Sequence, residues 1–208
     1  RQATGIQEMH LLQASFSRMK SGIGSFSKYA PVSVIKGMLR TGEVATLGVA
    51  QQQVSVLFSD IVGFTTMCES MHPQKMLALL SEYFQLMSDI IERTDGILAE
   101  FIGDAVLALW NCPQPVRLHA QQCVEAALQM HEAVAVAQKK WRSRGHPELA
   151  IRIGIHTAVV FVGNIGSAER MKYGVMGDGV NLASRLENLN KRYKTQVLVS
   201  GATLREPS

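Results

Sequence analysis

Residues 97–110 read Ile97-Leu98-Ala99-Glu100-Phe101-Ile102-Gly103-Asp104-Ala105-Val106-Leu107-Ala108-Leu109-Trp110. Two short apolar runs, Ile97 to Phe101 and Val106 to Trp110, flank the tight Ile102-Gly103-Asp104-Ala105 connection. This pattern predicts two antiparallel strands joined by a hairpin, with Asp104 at the tip. Upstream, Pro73 to Thr94 carries Met76, Leu79, Leu80, Tyr83, Phe84, Met87, Ile90 and Ile91 at helical spacing, so its Met and aromatic stripe is core. Before that helix, Val54 to Phe58 is short and β-branched or aromatic, and ends abruptly at Ser59-Asp60, a buried strand delivering an Asp at its end. Downstream, Val116 to Trp141 reads as a second long helix, Leu149 to Val162 as a long strand and Met171 to Met176 as a shorter one. Asp178 to Tyr193 reads as a third helix and Gln196 to Ser200 as a last strand. The order β α β β α β β α β is neither a βαβ repeat nor an all-β chain. It predicts an α+β sandwich with helices on one face of a mainly antiparallel sheet.

The composition bounds what such a fold can do. A chain of 208 residues with 47% apolar and 18% charged positions is globular, about one domain with or without an appendage. No apolar run approaches the roughly 18–20 residues of a membrane helix. The three cysteines, Cys68, Cys112 and Cys123, form no CxxC pair, which disfavours a disulfide framework or a thiolate zinc site and suits a reducing, cytoplasmic setting. Cys68, near the Phe58 to Thr65 loop, is expected to be a small buried hydrophobe, with a redox handle as the alternative. The net charge of +4 comes without a block of consecutive Lys or Arg, so no nucleic-acid groove or anionic-lipid patch is indicated. The first residue is Arg1 and no signal-peptide pattern follows, which reads as a piece of something larger.

Residues 1–50 read as a leading segment. Ile6, Met9, Leu12, Phe16, Met19, Ile23 and Phe26 are spaced close to the 3.5 repeat of a coiled-coil seam, which predicts a connecting, signalling helix. An ordinary amphipathic helix packed on its own domain remains the alternative. Gly22 and Gly24 are expected to weaken it, Pro31 to end it, and Val32 to Leu39 to add a short apolar turn. Residues 51–208 hold the rest.

Three stretches carry chemistry. In Phe58 to Thr65, FSDIVGFT, the carboxylate of Asp60 is followed by backbone amides that approach a helix start through Gly63, Phe64 and Thr65. Such an arrangement can hold a hard cation and a phosphate side by side, although a lone Asp at a strand end is more often a turn former or helix cap. Forty-four residues later Asp104 sits at the hairpin tip, where a carboxylate has little structural purpose. Two Asp brought together repel unless something neutralises them, and hard divalent cations with oxygen ligands do so. In Gly177 to Glu187, GDGVNLASRLE, Asp178 is a plausible N-cap, while Asn181 and Arg185, four apart, share a helical face opposite Val180, Ala183 and Leu186. A neutral donor beside a guanidinium suits developing phosphorane charge, and a merely solvated helix face is the plain alternative.

Together FSDIVGFT, FIGDAV, IRIGIHT and VMGDGVNLASR, in this order and with these separations, resemble the class III nucleotidyl cyclase catalytic domain, the adenylyl and guanylyl cyclase family. The resemblance covers about residues 45–204. It implies a ferredoxin-like core and head-to-tail dimers, homodimeric or pseudo-heterodimeric, with two sites at the interface. It further implies two Mg²⁺ or Mn²⁺ per site, held by Asp60, Asp104 and the Ile61 carbonyl. Arg152 would contact the triphosphate, and Asn181 and Arg185 of the partner subunit would stabilise the transition state. A phosphate-binding lysine and last strands would lie beyond Ser208, and a sensor domain upstream would act through the leading helix. His156, on the face of Arg152, reads as structural, and Ala158, where the family commonly has Gly, alters only local backbone.

Base choice follows from two positions that the resemblance marks as purine-reading. Glu100 stands where adenylyl cyclases of the family usually carry Lys, and a carboxylate, which only accepts, suits the adjacent N1–H and N2 amino donors of guanine. Gly174 supplies no side chain for O6, so discrimination would rest on Glu100 with backbone or water help. The expectation is therefore a guanylate cyclase acting on GTP. An adenylate cyclase acting on ATP, or a silent cyclase-like module that dimerises or senses nucleotide, are the alternatives. An RNA-binding domain is disfavoured because the strands lack exposed aromatics with flanking basic residues.

Overall fold

The computed structural model describes residues 2–26, 29, 31–42 and 44–206, with side chains from residue 9 onward except at 26, 32 and 33. The chain forms two compact units, Arg1–Ala45 and Thr46–Ser208. In the first, α1 (Gln2–Phe26) runs straight through Gly22 and Gly24. Met9, Leu12, Phe16 and Met19 of its near-heptad stripe are all more than half exposed. The side chains of Ile6 and Phe26 lie outside the described residues. Where the sequence suggested only a short apolar turn, a ten-residue helix forms, α2 (Val32–Thr41). It is closed by Gly42 at φ 71°, whose amide donates to the Met38 carbonyl, a left-handed cap that glycine adopts without a Cβ penalty.

The second unit runs β1 (Gly48–Ile61), α3 (Phe64–Ser70), α4 (Pro73–Arg93), β2 (Ile97–Ile102), β3 (Ala105–Trp110), α5 (His119–Ser143), β4 (Ile151–Gly166), β5 (Met171–Met176), α6 (Asp178–Tyr193), β6 (Val197–Val199) and α7 (Gly201–Leu204). The sheet order is β2-β3-β1-β4-β5, antiparallel throughout, with β6 added parallel to the first half of β4. The expected order of strands and long helices is present, with α3 and α7 as additional short helices. β1 is much longer than the Val54 to Phe58 run that announced it, because Gln51, Gln52 and Gln53, polar enough to read as loop, pair with β4 all the same.

Alternation along β1 builds two cores. Leu57 and Ile61 join Tyr83, Met87 and Ile90 of α4 and Ala127 and Met130 of α5. On that face Ser59 meets the Tyr83 hydroxyl at 3.3 Å and Ser55 meets His119 at 2.9 Å. Val54 and Val56 face the other way, with Val160, Val162 and Ala183 of α6. Helices therefore cover both faces, correcting the expectation of a single helical layer. Helical periodicity marks which residues of α6 are inward but is silent on which face of the sheet receives them. The local reason is Gly154 on β4, where a Cβ would stand 2.2 Å from both the Ala183 carbonyl oxygen and the Glu187 amide nitrogen. Among the described residues no helix is long and apolar enough to cross a membrane.

The clash at residue 154 is with backbone, which cannot rotate aside. Gly154→Ala should therefore destabilise the second unit by about 3 kcal/mol, at the upper end of overpacking costs. Urea denaturation checks this, and an unchanged midpoint would show that α6 does not rest on β4 as described.

Candidate active site

β1 delivers Asp60 one residue before its end, and the antiparallel register sets Arg152 of β4 directly across from it. Arg152 points its Nε to the Glu187 carboxylate of α6 at 3.0 Å and its Nη2 to Asp60 at 3.7 Å. Glu187 is only 3% exposed. A carboxylate so buried needs a partner, and Arg152 is that partner. Burial raises the Glu187 carboxyl above its ordinary range, while Arg152 pulls it back.

The β2–β3 hairpin carries Asp104 into the same place. Gly103, at φ 65°, takes the left-handed turn position that lets two residues connect the strands. The Ile61 amide then donates to Asp104 Oδ2 at 3.2 Å, pinning the hairpin tip to the end of β1. The Asp104 carboxyl also comes within hydrogen-bond reach of Asp60. Burial first, then this neighbour, push the Asp60 carboxyl up to about 7, with Glu187 adding and Arg152 opposing. Two crowded carboxylates form an oxygen-only donor set suited to Mg²⁺ or Mn²⁺. Among the described residues no three or more His, Cys, Asp or Glu side chains gather into a closed metal cage. An ion held here would keep coordination positions for water or phosphate.

Beyond Asp60 the chain turns at Gly63, φ 71°, which caps α3, so the amides of Phe64 and Thr65 stand in a first helical turn with no upstream carbonyl to bond. Glu100 lies at the exposed end of β2 and is paired with Lys172 of β5, Nζ to Oε2 2.7 Å. Gly174, two residues after Lys172, leaves open the space beside that pair. Asn181 and Arg185 are both exposed on α6, opposite buried Ala183, Glu187 and Asn190. Among the described residues no hydrogen bond or ion pair joins either of them to Asp60 or Asp104. Within one chain, then, Asp60, Ile61, Asp104 and Arg152 meet, Glu100 stands near Gly174, and Asn181 and Arg185 point elsewhere.

Residues 49–206 match the model of the adenylate and guanylate cyclase catalytic domain. The chain belongs to the class III nucleotidyl cyclases. It is 38% identical over 199 residues to adenylate cyclase 1 of Rhizobium meliloti, covering 96% of this chain and 30% of that protein. It thus spans about a third of that curated relative. Among solved structures, the guanylyl cyclase Cya2 is 35% identical with a TM-score of 0.71, over 76% of this chain and 79% of that one. The adenylyl cyclase CyaB from P. aeruginosa is 33% identical with a TM-score of 0.70, over 76% and 81%. Both base specificities are represented among similar folds.

Three details of this cyclase domain depart from the sequence reading. Asp178 is the first residue of α6 and Gly177 is its N-cap, so the carboxylate acts on the helix dipole rather than as a cap. Cys68 is exposed on α3, not buried, because α3 is too short and peripheral to cover it. Glu187 and Lys172 join the site without a local motif of their own. Glu187 could have been found from Arg152, a charge set between Ile151 and Ile153 on a buried strand that demands a buried anion. His156 has the structural role expected, its Nδ1 2.8 Å from the Ser200 hydroxyl.

The Asp60 shift has two consequences of defined sign. In the metal-free protein the folded chain holds, between about pH 4 and 7, a proton that the unfolded chain has lost, so this group makes stability fall as pH rises through that window. A divalent ion held by Asp60 would have to displace the same proton, so its affinity should drop below pH 7. Thermal melts with and without Mn²⁺ check this: the upshift should be larger at pH 8 than at pH 6, and equal upshifts would contradict it.

Proposed function

We propose that this domain converts GTP to 3′,5′-cyclic GMP and pyrophosphate, as the signalling output of a larger protein. The single observation that carries the base choice is the Glu100 carboxylate, exposed at the end of β2 and four residues from Asp104. It accepts from guanine N1–H and the N2 amino group, two adjacent donors that adenine lacks. The reaction is in-line attack of the 3′ oxygen on the α-phosphorus with pyrophosphate leaving. Asp60, Asp104 and the Ile61 carbonyl would hold two Mg²⁺ or Mn²⁺ ions, which would supply the positive charge that lowers the pKa of the 3′ hydroxyl and offsets that of the triphosphate. Asp60 and Asp104 fix the place where such ions would sit, and amides at Gly63, Phe64 and Thr65 receive phosphate. Arg152, with five donors, holds Glu187 and still offers others to the triphosphate.

Asn181 and Arg185 lie on the outward face of α6, away from the carboxylates of their own chain. In our reading they complete the site of a second cyclase domain, a like copy or a homologous one, and meet charge developing on the α-phosphate. Val159 and Phe161 of β4 and Met176 of β5, all exposed, supply apolar surface for that pairing. Residues 1–50 would connect an upstream sensor to this dimer. The presence of all four of Asp60, Asp104, Asn181 and Arg185 speaks against a silent module. One observation favours the adenylate reading instead: Lys172 beside Glu100 offers the donor that adenine N1 requires.

The direct test supplies GTP and ATP separately with Mn²⁺ and identifies the cyclic product by mass spectrometry. Cyclic GMP formed at least tenfold faster is expected, and preference for ATP refutes the guanylate reading. The shared site has its own test. Asp60→Ala and Asn181→Ala homodimers should each be inactive, yet co-expressed in equal amounts they should recover roughly a quarter of parental activity, since half the dimers are mixed and each has one intact site. No recovery in verified mixed dimers would refute two-chain sites with independent turnover.

A further inference from the structure

One row of residues crosses the sheet immediately behind the two carboxylates. The antiparallel registers set Ser59 of β1 opposite Val106 of β3, and Val106 opposite Phe101 of β2. Cross-strand partners share a face, and Val106 belongs to the core beneath α4 and α5. Asp60 follows Ser59 directly, and Asp104 precedes Val106 by two residues. Two adjacent residues of α4 hold the ends of this row. The Tyr83 hydroxyl meets Ser59 Oγ at 3.3 Å, and the Phe84 ring packs on Phe101 with centroids 4.1 Å apart and planes tilted by 32°. The Tyr83 and Phe84 rings are themselves 5.5 Å apart, so the aromatic contact runs unbroken from β1 to β2.

The β1 end of the row is fully buried, at Ser59 and Tyr83 alike. Core packing does not account for the other end, since Phe101 is 40% exposed and lies in neither core. β2 is an edge strand, its register shifts between Leu98 and Glu100, and its last three residues are exposed. The hairpin that carries Asp104 therefore has little sheet around it, while a like charge pushes its tip away from Asp60. The Ile61 amide holds the tip itself. Phe84 holds the strand that leads to it.

We infer that Tyr83 and Phe84 are positioning residues, a clamp on the row Ser59, Val106 and Phe101 that sets the separation of Asp60 from Asp104 and with it the affinity for a divalent ion. The inference rests on the reading of these aspartates as the ion-binding pair. Both aromatic side chains act through the strands they hold. The buried contact to Ser59 is the fixed jaw, and the exposed contact to Phe101 is the one that closes against the repulsion.

The test titrates the whole chain with Mn²⁺, without nucleotide, following the paramagnetic resonance signal of the free ion. Phe101→Leu removes a ring from an exposed position, so it should scarcely move the urea midpoint. It should raise the Mn²⁺ dissociation constant by about threefold to tenfold, the factor that loss of an aromatic pair implies. Phe84→Leu should weaken binding to the same degree, and the double variant no further, because all three remove one contact. Phe101→Tyr, which keeps a ring, should bind as the parent does. Tyr83→Phe should also weaken Mn²⁺, with Ser59→Ala adding nothing to it. Variants that lose stability but keep the parental constant show that these aromatics only pack, and additive losses in the Phe84 and Phe101 double variant show two unrelated effects. Either result overturns the inference. Asp104→Asn separates it from the reading beneath it. If that variant loses Mn²⁺ while the aromatic variants bind normally, the clamp alone is refuted, and if it binds as the parent does, the ion-binding pair is refuted and the clamp with it.

Discussion

The pairing of β1 with β4 is the constraint on which the rest of this molecule hangs. All fourteen residues of β1 are matched, from Gly48 against Asn164 to Ile61 against Ile151. Because side chains alternate with period two, a slip of β1 by one residue would turn Asp60 to the α4–α5 face, away from Arg152, and bury Leu57 and Ile61 against α6. The same register places Gly154 two residues beyond Arg152, where α6 needs a bare backbone to approach. It also brings His156, another two residues along, to Ser200. Strand pairing, helix seat and charge placement are thus one geometric decision.

On this frame the site is an arrangement of charges that are uncomfortable alone. Asp60 and Asp104 repel, and burial makes that repulsion harder to screen. Arg152 relieves part of it, but it is also held by Glu187, so the positive charge is shared among anions. The Ile61 amide fixes Asp104 in spite of the repulsion. What results is a concentration of negative charge held in place by the fold, an arrangement that would suit a dication. By contrast Glu100 and Lys172 satisfy each other at the surface, a pair that can open without exposing an unpaired buried charge.

How much of this could be read in the residues varies with distance along the chain. The β2–β3 hairpin, α4, β5 and α6 were legible because hydrophobic periodicity and a Gly-containing turn are local signals. Asp60 and Asp104 were legible as a pair only because each sat at the end of an apolar strand with no structural task. The polar opening of β1 was not, since Gln51 to Gln53 owe their strand conformation to backbone bonds with β4, which no side-chain pattern reports. Nor were α2 and α3, whose ends are set by glycine caps rather than by long stripes. The seat of α6 on the second face, and the pairs Arg152–Glu187 and Glu100–Lys172, join residues 35 and 72 positions apart. Such contacts are products of topology.

The buried position of Glu187 also makes the two members of its ion pair unequal in what their loss would cost. If Arg152 is replaced first, Glu187 is left as a lone charge beneath α6, and removing one member of a buried pair is strongly destabilising. If Glu187 is replaced first by a neutral residue of similar volume, Arg152 keeps Asp60 as its counter-ion at 3.7 Å and remains partly in reach of water. The glutamate can therefore be replaced at smaller cost than the arginine.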